Sequence, residues 1–371
     1  MKILVTGGAG FIGSHLVDAL LARGHAVRVL DSLDPQVHGA GGARPAHLHR
    51  DAELQVGDVR DHATVRRALD GVEVVFHEAA AVGVGQSMYE IERYVSVNSL
   101  GAAVLLEELV ERRAQLRRVV VASSMSLYGE GAFVDADGAT VFPRLRSDAQ
   151  LAARRFELED AQGRPLRPIP TPETKPLLPT SVYAVTKRDH EELFLAVGAA
   201  YGIPTVALRY FNTYGTRQAL SNPYTGVIAI FSGSLLNGHA PVIFEDGGQS
   251  RDFVHVSDIV GANLLAMERD AAVGGVYNVG TGRATSVLEV AHTLAREIGV
   301  AIEPEVVGRF RAGDIRHCFA DPRAAARDLG FEARTSLEAG MRELLAWLRT
   351  QSAVDRVAQA RKELEARGLT R

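Results

Sequence analysis

KILVTGGAGFIG, residues 2–13, opens the chain with a short apolar run that breaks into a glycine-rich turn. Ile12, Leu16 and Leu20 then recur at helical spacing, and Gly24 follows as a residue suited to closing a helix. AVRVLD at 26–31 reads as a second strand, so strand, glycine turn, helix and strand are complete by Asp31. Two glycine spacings overlap in the turn: Gly8-x-Gly10-x-x-Gly13 and Gly7-x-x-Gly10-x-x-Gly13. Either one removes side chains where backbone amides must approach a pyrophosphate, at the positive end of a helix. Asp31 ends the second strand at roughly the 20-residue separation at which a carboxylate accepts hydrogen bonds from adenosine ribose hydroxyls and repels a 2′-phosphate. The expectation is a dinucleotide site for NAD rather than NADP.

Further apolar runs lie at 72–77 (VEVVFH), 117–123 (RRVVVAS), 205–212 (TVALRYFN) and 276–280 (VYNVG), separated by segments of helical spacing. That alternation predicts an α/β fold, a doubly wound parallel sheet of the Rossmann type. Beyond residue 220 the pattern breaks into shorter pieces with Pro223, Pro241 and paired glycines, which suggests a smaller C-terminal substrate-binding lobe. The expected division is a Rossmann domain over 1–220 and a lobe over 221–345, part of which returns to the sheet, then a C-terminal helix over 346–371. The Rossmann domain carries a surface insert at 131–180, whose RPLRPIPTPETKPLLP (164–179) cannot continue a helix or a central strand.

Composition narrows the partners. The chain has 371 residues, 46% of them hydrophobic, and a net charge of −4, so it lacks the basic surplus that nucleic acid demands. Cys318 is the sole cysteine, which excludes an intramolecular disulfide and a multi-thiolate zinc site. No long apolar span and no leader-like segment stand out, so no membrane partner and a cytoplasmic location are expected.

SVYAVTKRDHEELFLAV (181–197) reads as a helix, which puts Tyr183 and Lys187, four residues apart, on one face. A free phenol titrates near pH ~10, and a nearby ammonium together with the positive nicotinamide of NAD⁺ favours the phenolate, making Tyr183 a candidate general base. VVVASSMSLYGEG (119–131) sets Ser123, Ser124 and Ser126 just past a strand, at the carboxyl edge where such sheets bind ligands. A serine there either relays a proton to Tyr183 or caps the turn that follows, and position alone leaves both readings open.

TGGAGFIG, Asp31, GDV (57–59), HEAA (77–80), Asn98, ASSMSLYG, Tyr183-x-x-x-Lys187, RYFN (209–212), RDFVHV (251–256) and RAGD (311–314) together resemble the extended short-chain dehydrogenase/reductases that act on nucleotide sugars. The resemblance spans about residues 1–345. It implies that Gly7, Gly10, Phe11, Ile12, Gly13 and Asp31 cradle NAD, that Asp58 and Val59 contact adenine, and that Ala79, Ala80, Ala81 and Asn98 line the cofactor channel. Ser123 and Phe211 are assigned to the cofactor as well, and Lys187 to its nicotinamide ribose. Ser124, Tyr183 and Lys187 match the catalytic residues, while Ser87, Ser126, Asn212, Val227, Arg251, Arg311 and Asp314 fall at substrate-binding positions. Among these, Asn212, Arg251 and Arg311 are expected to hold a diphosphate, to which the planar guanidinium fork is suited.

In the family, 4,6-dehydratases follow the catalytic Ser/Thr with an Asp-Glu pair; here Met125 and Ser126 stand there. The resemblance therefore implies a 4-epimerase acting on a UDP- or dTDP-linked sugar, and ASSMSLYGEG with SNPYTGV (221–227) looks most like bacterial enzymes for dTDP-rhamnose or UDP-uronic sugars. Competing readings are a dehydratase or decarboxylase using Glu130 or Glu78, a dehydrogenase that releases NADH, and an NAD-sensing regulatory module, which would not require Tyr183. Relatives of this pattern carry paired cysteines in the long insert; Asp135, Asp137 and their neighbours occupy that stretch here, so no metal is expected. Segments 92–113 and 182–200 resemble helices that pair across a family dimer interface, which implies a homodimer.

Overall fold

The computed structural model describes residues 1–39, 41–219, 226–311, 313–350, 363 and 365–370. Its centre is a parallel sheet of seven strands: β1 (Lys2–Thr6), β2 (Ala26–Asp31), β3 (Glu53–Val56), β4 (Val74–His77), β5 (Arg118–Ser124), β6 (Thr205–Tyr210) and β7 (Val276–Val279). They run in the order β7-β6-β5-β4-β1-β2-β3, every neighbouring pair parallel. The order turns back on itself between β1 and β4, and in such sheets ligands bind outside the carboxyl ends at that point. Thr6 pairs with Leu30 on one side and His77 on the other, so the register gathers Gly7, Asp31 and Glu78 at one edge.

Both faces of the sheet are covered. Ile3 and Val5 pack with Leu16, Val17 and Leu20 of α1 (Phe11–Ala22), while Leu4, between them in sequence, packs on the opposite side with Val65 of α2 (His62–Ala68), Leu105 and Leu109 of α3 (Gly101–Glu111) and Phe194 of α4 (Val182–Tyr201). That two-residue alternation, with both sets apolar, is why parallel strands read as unbroken hydrophobic runs. β3 escaped the sequence reading because it is an edge strand: Glu53-Leu-Gln-Val56 buries none of its four residues fully.

α4 begins at Ser181, whose side chain accepts from Ala184 N, and ends at Gly202 in the left-handed conformation. The smaller lobe packs Ile228 and Phe231 of α5 (Val227–Leu236) against Val290 and Leu294 of α7 (Val287–Ile298) and Leu344 and Leu348 of α8 (Leu337–Leu348). Between these helices the chain returns to the sheet through α6 (Val256–Glu268), which packs Ile259 into the first core, and then β7. Of SNPYTGV, only Gly226 and Val227 lie within the described residues, and most of 351–371 falls outside them.

The insert is a small folded unit rather than a bare excursion. Ala132–Val134, Thr140–Val141 and Arg167–Ile169 form an antiparallel sheet over Phe133, Leu158 and Leu166. Two of its turns are built alike: Asp135 Oδ1 accepts from Asp137 N and Ala139 N, and Asp160 Oδ1 from Gln162 N and Arg164 N. The Arg164 guanidinium joins them, contacting Asp160 and Asp137 at 2.6 and 3.1 Å. Arg146 and Arg316 then tie the insert to the smaller lobe by sharing the buried Glu245 at 2.8 and 3.0 Å. Among the described residues no helix is long and apolar enough to cross a membrane.

Candidate active site

The carboxyl edge of the sheet opens into a cavity of 850 Å³. Gly7, Gly10 and Gly13 line it, whereas a side chain at Gly8 would meet Val29. The wider of the two glycine spacings is therefore the one that faces a ligand. Gly7 has φ +68°, and a Cβ there would come within 2.7 Å of Ala79 N; a Cβ on Gly13 would collide with the Gly7 carbonyl. The first turn of α1 has no side-chain cap and no acidic residue, so its amides remain available to an anion. This cradle, with its excluded Cβ atoms and uncapped amides, fits a dinucleotide pyrophosphate.

Asp31 lines the same wall and braces the turn, with Oδ2 accepting from Ala9 N at 3.0 Å and Oδ1 from Leu33 N at 2.9 Å. His38 stands 3.6 Å from Asp31 Oδ1, a neighbour that no motif marked. Phe11, Ile12, Asp58, Val59, Ala79, Ala80, Ala81, Ser123 and Phe211 also line the cavity. The Arg60 guanidinium grips Asp58 at 2.9 and 2.6 Å and holds its carboxyl below the usual range. Ser123 turns its hydroxyl away, donating to the buried Glu191 at 2.7 Å, itself clasped by Arg209.

Asn98 and Ser87, expected on the walls, are not there. Asn98 lies behind the channel: its Oδ1 accepts from Ala81 N at 2.8 Å and its Nδ2 donates to Ala81 O and to Thr186 Oγ1 on α4. It sits in a π-helical turn, Val95–Leu100, leading into α3. Ser87 is wholly buried outside the cavity, its hydroxyl spent on Val84 O at 2.7 Å.

Ser124, Tyr183 and Lys187 meet on the cavity wall. Lys187 Nζ reaches across from α4 to donate to Ala122 O at 2.9 Å. Ser124 Oγ accepts from Ser126 N and from Ser126 Oγ at 3.1 and 2.9 Å, and it also hydrogen-bonds the Tyr183 phenol. The serine thus caps its turn while its hydroxyl stands against the tyrosine. The electrostatics depart from expectation. Burial pushes the Tyr183 phenol up to about 12, opposed only by Ser124, and burial pushes Lys187 down to about 8, opposed by Glu78. In the protein alone the ammonium therefore gives up its proton at a lower pH than the phenol does.

Of the two acids kept for dehydration or decarboxylation, Glu130 is off the wall, its carboxylate accepting from Arg316 N at 2.8 Å and His317 N at 3.2 Å. Glu78 is on the wall and accepts from Tyr210 Oη at 2.7 Å.

Ser126, Asn212 and Val227 line the cavity, joined by Gln218 and Phe253, which the sequence reading did not single out. Asn212 Oδ1 and Gln218 Oε1 are buried acceptors with no partner among the described residues. Arg251, Arg311 and Asp314 cluster together but away from the cavity wall. Asp314 spans the two guanidiniums at 3.2 and 2.8 Å, and Arg251 also donates to Ser250 O and Ile315 O.

A family model described as "NAD dependent epimerase/dehydratase family" matches residues 3–148 and 160–280. The chain belongs to that family. It is 39% identical to a dTDP-L-rhamnose 4-epimerase of Burkholderia thailandensis over 94% of each chain. A UDP-glucose 4-epimerase of Thermotoga maritima, solved with UDP-glucose, superimposes with a TM-score of 0.78 at 33% identity, covering 94% of this chain and 99% of that one. The UDP-glucose 4-epimerase of Thermus thermophilus, solved with NAD, gives 0.74 at 31% identity over 95% and 100% of the two chains.

Proposed function

We propose that this protein is an NAD-dependent epimerase that inverts C4 of a nucleotide-linked sugar through a transient 4-keto sugar, with Tyr183 as the base. The observation that carries the reading is that the glycine cradle and the Ser124, Tyr183 and Lys187 side chains line one continuous cavity. Gly7, Gly10, Gly13, Asp31, Asp58 and Lys187 would hold the dinucleotide. When bound, NAD supplies a reversible acceptor for the hydride of C4, so no outside oxidant is consumed.

Tyr183 takes the proton of the C4 hydroxyl, directly or through the Ser124 hydroxyl to which it is bonded. C4 becomes a carbonyl. After the sugar turns over, the hydride taken from C4 would return to its other face, giving an alkoxide to which Tyr183 gives back the proton, so that mass and oxidation state are both restored. Asn212 and Gln218, with their unpartnered acceptors, suit the donor groups of a sugar or a base. Arg251 and Arg311 can serve a diphosphate once Asp314 no longer holds them. A substrate carrying uridine or thymidine diphosphate is supported by the named activities of the relatives.

Dehydration loses support because Met125 and Ser126 follow Ser124 and because Glu130 is tied to backbone amides outside the cavity. A homodimer is supported by apolar side chains left open on the expected faces: Val95 at 45%, Leu100 at 51% and Val185 at 52% exposure. The same reading puts the protein in the cytoplasm, where a lone thiol such as Cys318 stays reduced. A panel of UDP-, dTDP- and GDP-sugars, each incubated with the protein and followed by NMR, tests the activity. A C4-inverted product of unchanged mass is expected, and a product lighter by water or carbon dioxide would overturn the reading.

A further inference from the structure

Lys187 is nearly enclosed, and its ammonium donates to a neutral carbonyl, Ala122 O at 2.9 Å. Ammonium in such a place is costly unless an anion faces it. The imidazoles nearby provide none. His77 on β4 and His190 on α4 are buried, their rings 5.2 Å apart, and burial and the lysine itself disfavour their charged forms. Tyr183 on α4 and Tyr210 on β6 are both phenols pushed upward by burial. What remains among the described residues is Glu78: His77 pairs with Val121 across β4 and β5, so the next residues, Glu78 and Ala122, stand side by side, and it is the Ala122 carbonyl that takes the Lys187 ammonium on the same cavity wall.

Glu78 is itself held in place. Asn263 Nδ2, on α6, donates to Tyr210 Oη at 2.7 Å, which leaves the tyrosine's own proton to point at Glu78 Oε1, also at 2.7 Å. The Glu78 backbone is fixed by its N–H on Thr6 O at 3.1 Å. Burial pushes the Glu78 carboxyl up to about 7, and the hydrogen bond donated by Tyr210 together with the Lys187 ammonium opposes that rise, so the carboxylate and the ammonium support each other.

We propose that Glu78 is a positioning residue of the proton relay: its carboxylate, aimed by Tyr210 and Asn263, is the counter-charge that keeps Lys187 protonated at working pH so that the lysine can assist Tyr183. This rests on the epimerase reading only in its last clause. Without a charged Lys187 the phenol has no cationic neighbour among the described residues, and deprotonation of Tyr183 moves to higher pH.

The chain has four lysines, Lys2, Lys175, Lys187 and Lys362, so a protein carrying ¹³C-labelled lysine yields few enough side-chain signals to titrate Lys187 by NMR with no nucleotide present. Replacing Lys187 by Arg assigns the signal. In Glu78→Gln, which keeps an acceptor for Tyr210, the Lys187 midpoint is expected to fall by about one pH unit, a loss of ammonium that approaches tenfold above the parent's midpoint. Glu78→Asp, which keeps the charge, is expected to restore most of the shift, and Tyr210→Phe, which removes the donor, to give an intermediate one. The kcat of Glu78→Gln on an accepted sugar is expected to fall about twofold at pH 7 and to approach a tenfold loss above pH 8, where the parent's ammonium outlasts the variant's, with KM little changed. An unmoved Lys187 midpoint in both Glu78→Gln and Tyr210→Phe overturns the proposal, whatever the sugar assays show. A moved midpoint in a protein that epimerises no sugar sustains the electrostatic pairing and sinks the functional reading instead.

Discussion

Asn98 clamps Ala81 from both sides, its Oδ1 taking the Ala81 N–H at 2.8 Å and its Nδ2 giving to the Ala81 carbonyl at 3.1 Å. Its remaining amide proton goes to Thr186, one residue before Lys187, so a single side chain ties the cofactor channel to the catalytic helix. Asn98→Ala strands both backbone groups of Ala81 and takes a donor from Thr186, and is expected to lower stability by about 2–3 kcal/mol. Urea unfolding measures that, and calorimetry is expected to show weaker NAD binding in the same variant. Full NAD affinity would mean that the Ala79–Ala81 wall holds its shape unaided.

Gly7→Ala meets two obstacles, a left-handed backbone and the Ala79 amide 2.7 Å from the new methyl group. A loss of at least about tenfold in NAD affinity is expected, together with about 1–2 kcal/mol of stability from the backbone alone. Gly8→Ala faces Val29 instead, so its cost is expected in stability far more than in NAD affinity.

Tyr183→Phe keeps the ring that packs edge-on against Tyr94 and removes the proton acceptor. A fall in kcat of about 10³-fold is expected with NAD affinity unchanged, measured by product formation and by direct cofactor titration. Activity within a factor of a few of the parent would exclude the phenol as base.

Lys187 carries a pH signature in stability. Its ordinary value of 10.5 falls to about 8 in the fold through burial, so between those limits the unfolded chain binds more protons and this group's contribution to stability rises with pH. Below pH 8 the buried ammonium is a cost present in full. Lys187→Met is therefore expected to be more stable than the parent at pH 7, by about 2 kcal/mol, and to lose that advantage as pH climbs through 8 to 10.5. Urea unfolding across that range reads it; an advantage that does not change with pH would show that the lysine is not titrating there.

Arg311 gives the plainest test of the substrate end, since it is half exposed and held by Asp314 at 2.8 Å and by the Phe244 ring at 4.9 Å. Arg311→Ala is expected to raise the KM for the nucleotide sugar about tenfold or more while leaving NAD affinity intact. An unchanged KM would remove this arginine from the diphosphate site.

Local chemistry was legible in the chain, because it depends on neighbours a few residues apart. A strand that ends in glycines and opens an uncapped helix needs no distant partner to be recognised, nor do Tyr183 and Lys187, which share a helix face at four-residue spacing. The joint pattern of motifs carried the family and the doubly wound sheet. What stayed hidden was where side chains point once distant segments meet. Gly7 and Gly8 look alike until Val29 and Ala79 close on them from β2 and from the end of β4. Ser87 and Asn98, both expected at the site, face the interior, and Asp314 binds the two arginines assigned to a ligand. Glu78 and Tyr210, 132 residues apart, become partners only through the order of the strands. Burial, which sets Tyr183 up and Lys187 down, is likewise a property of the packed molecule, since desolvation has no meaning for an isolated stretch of chain.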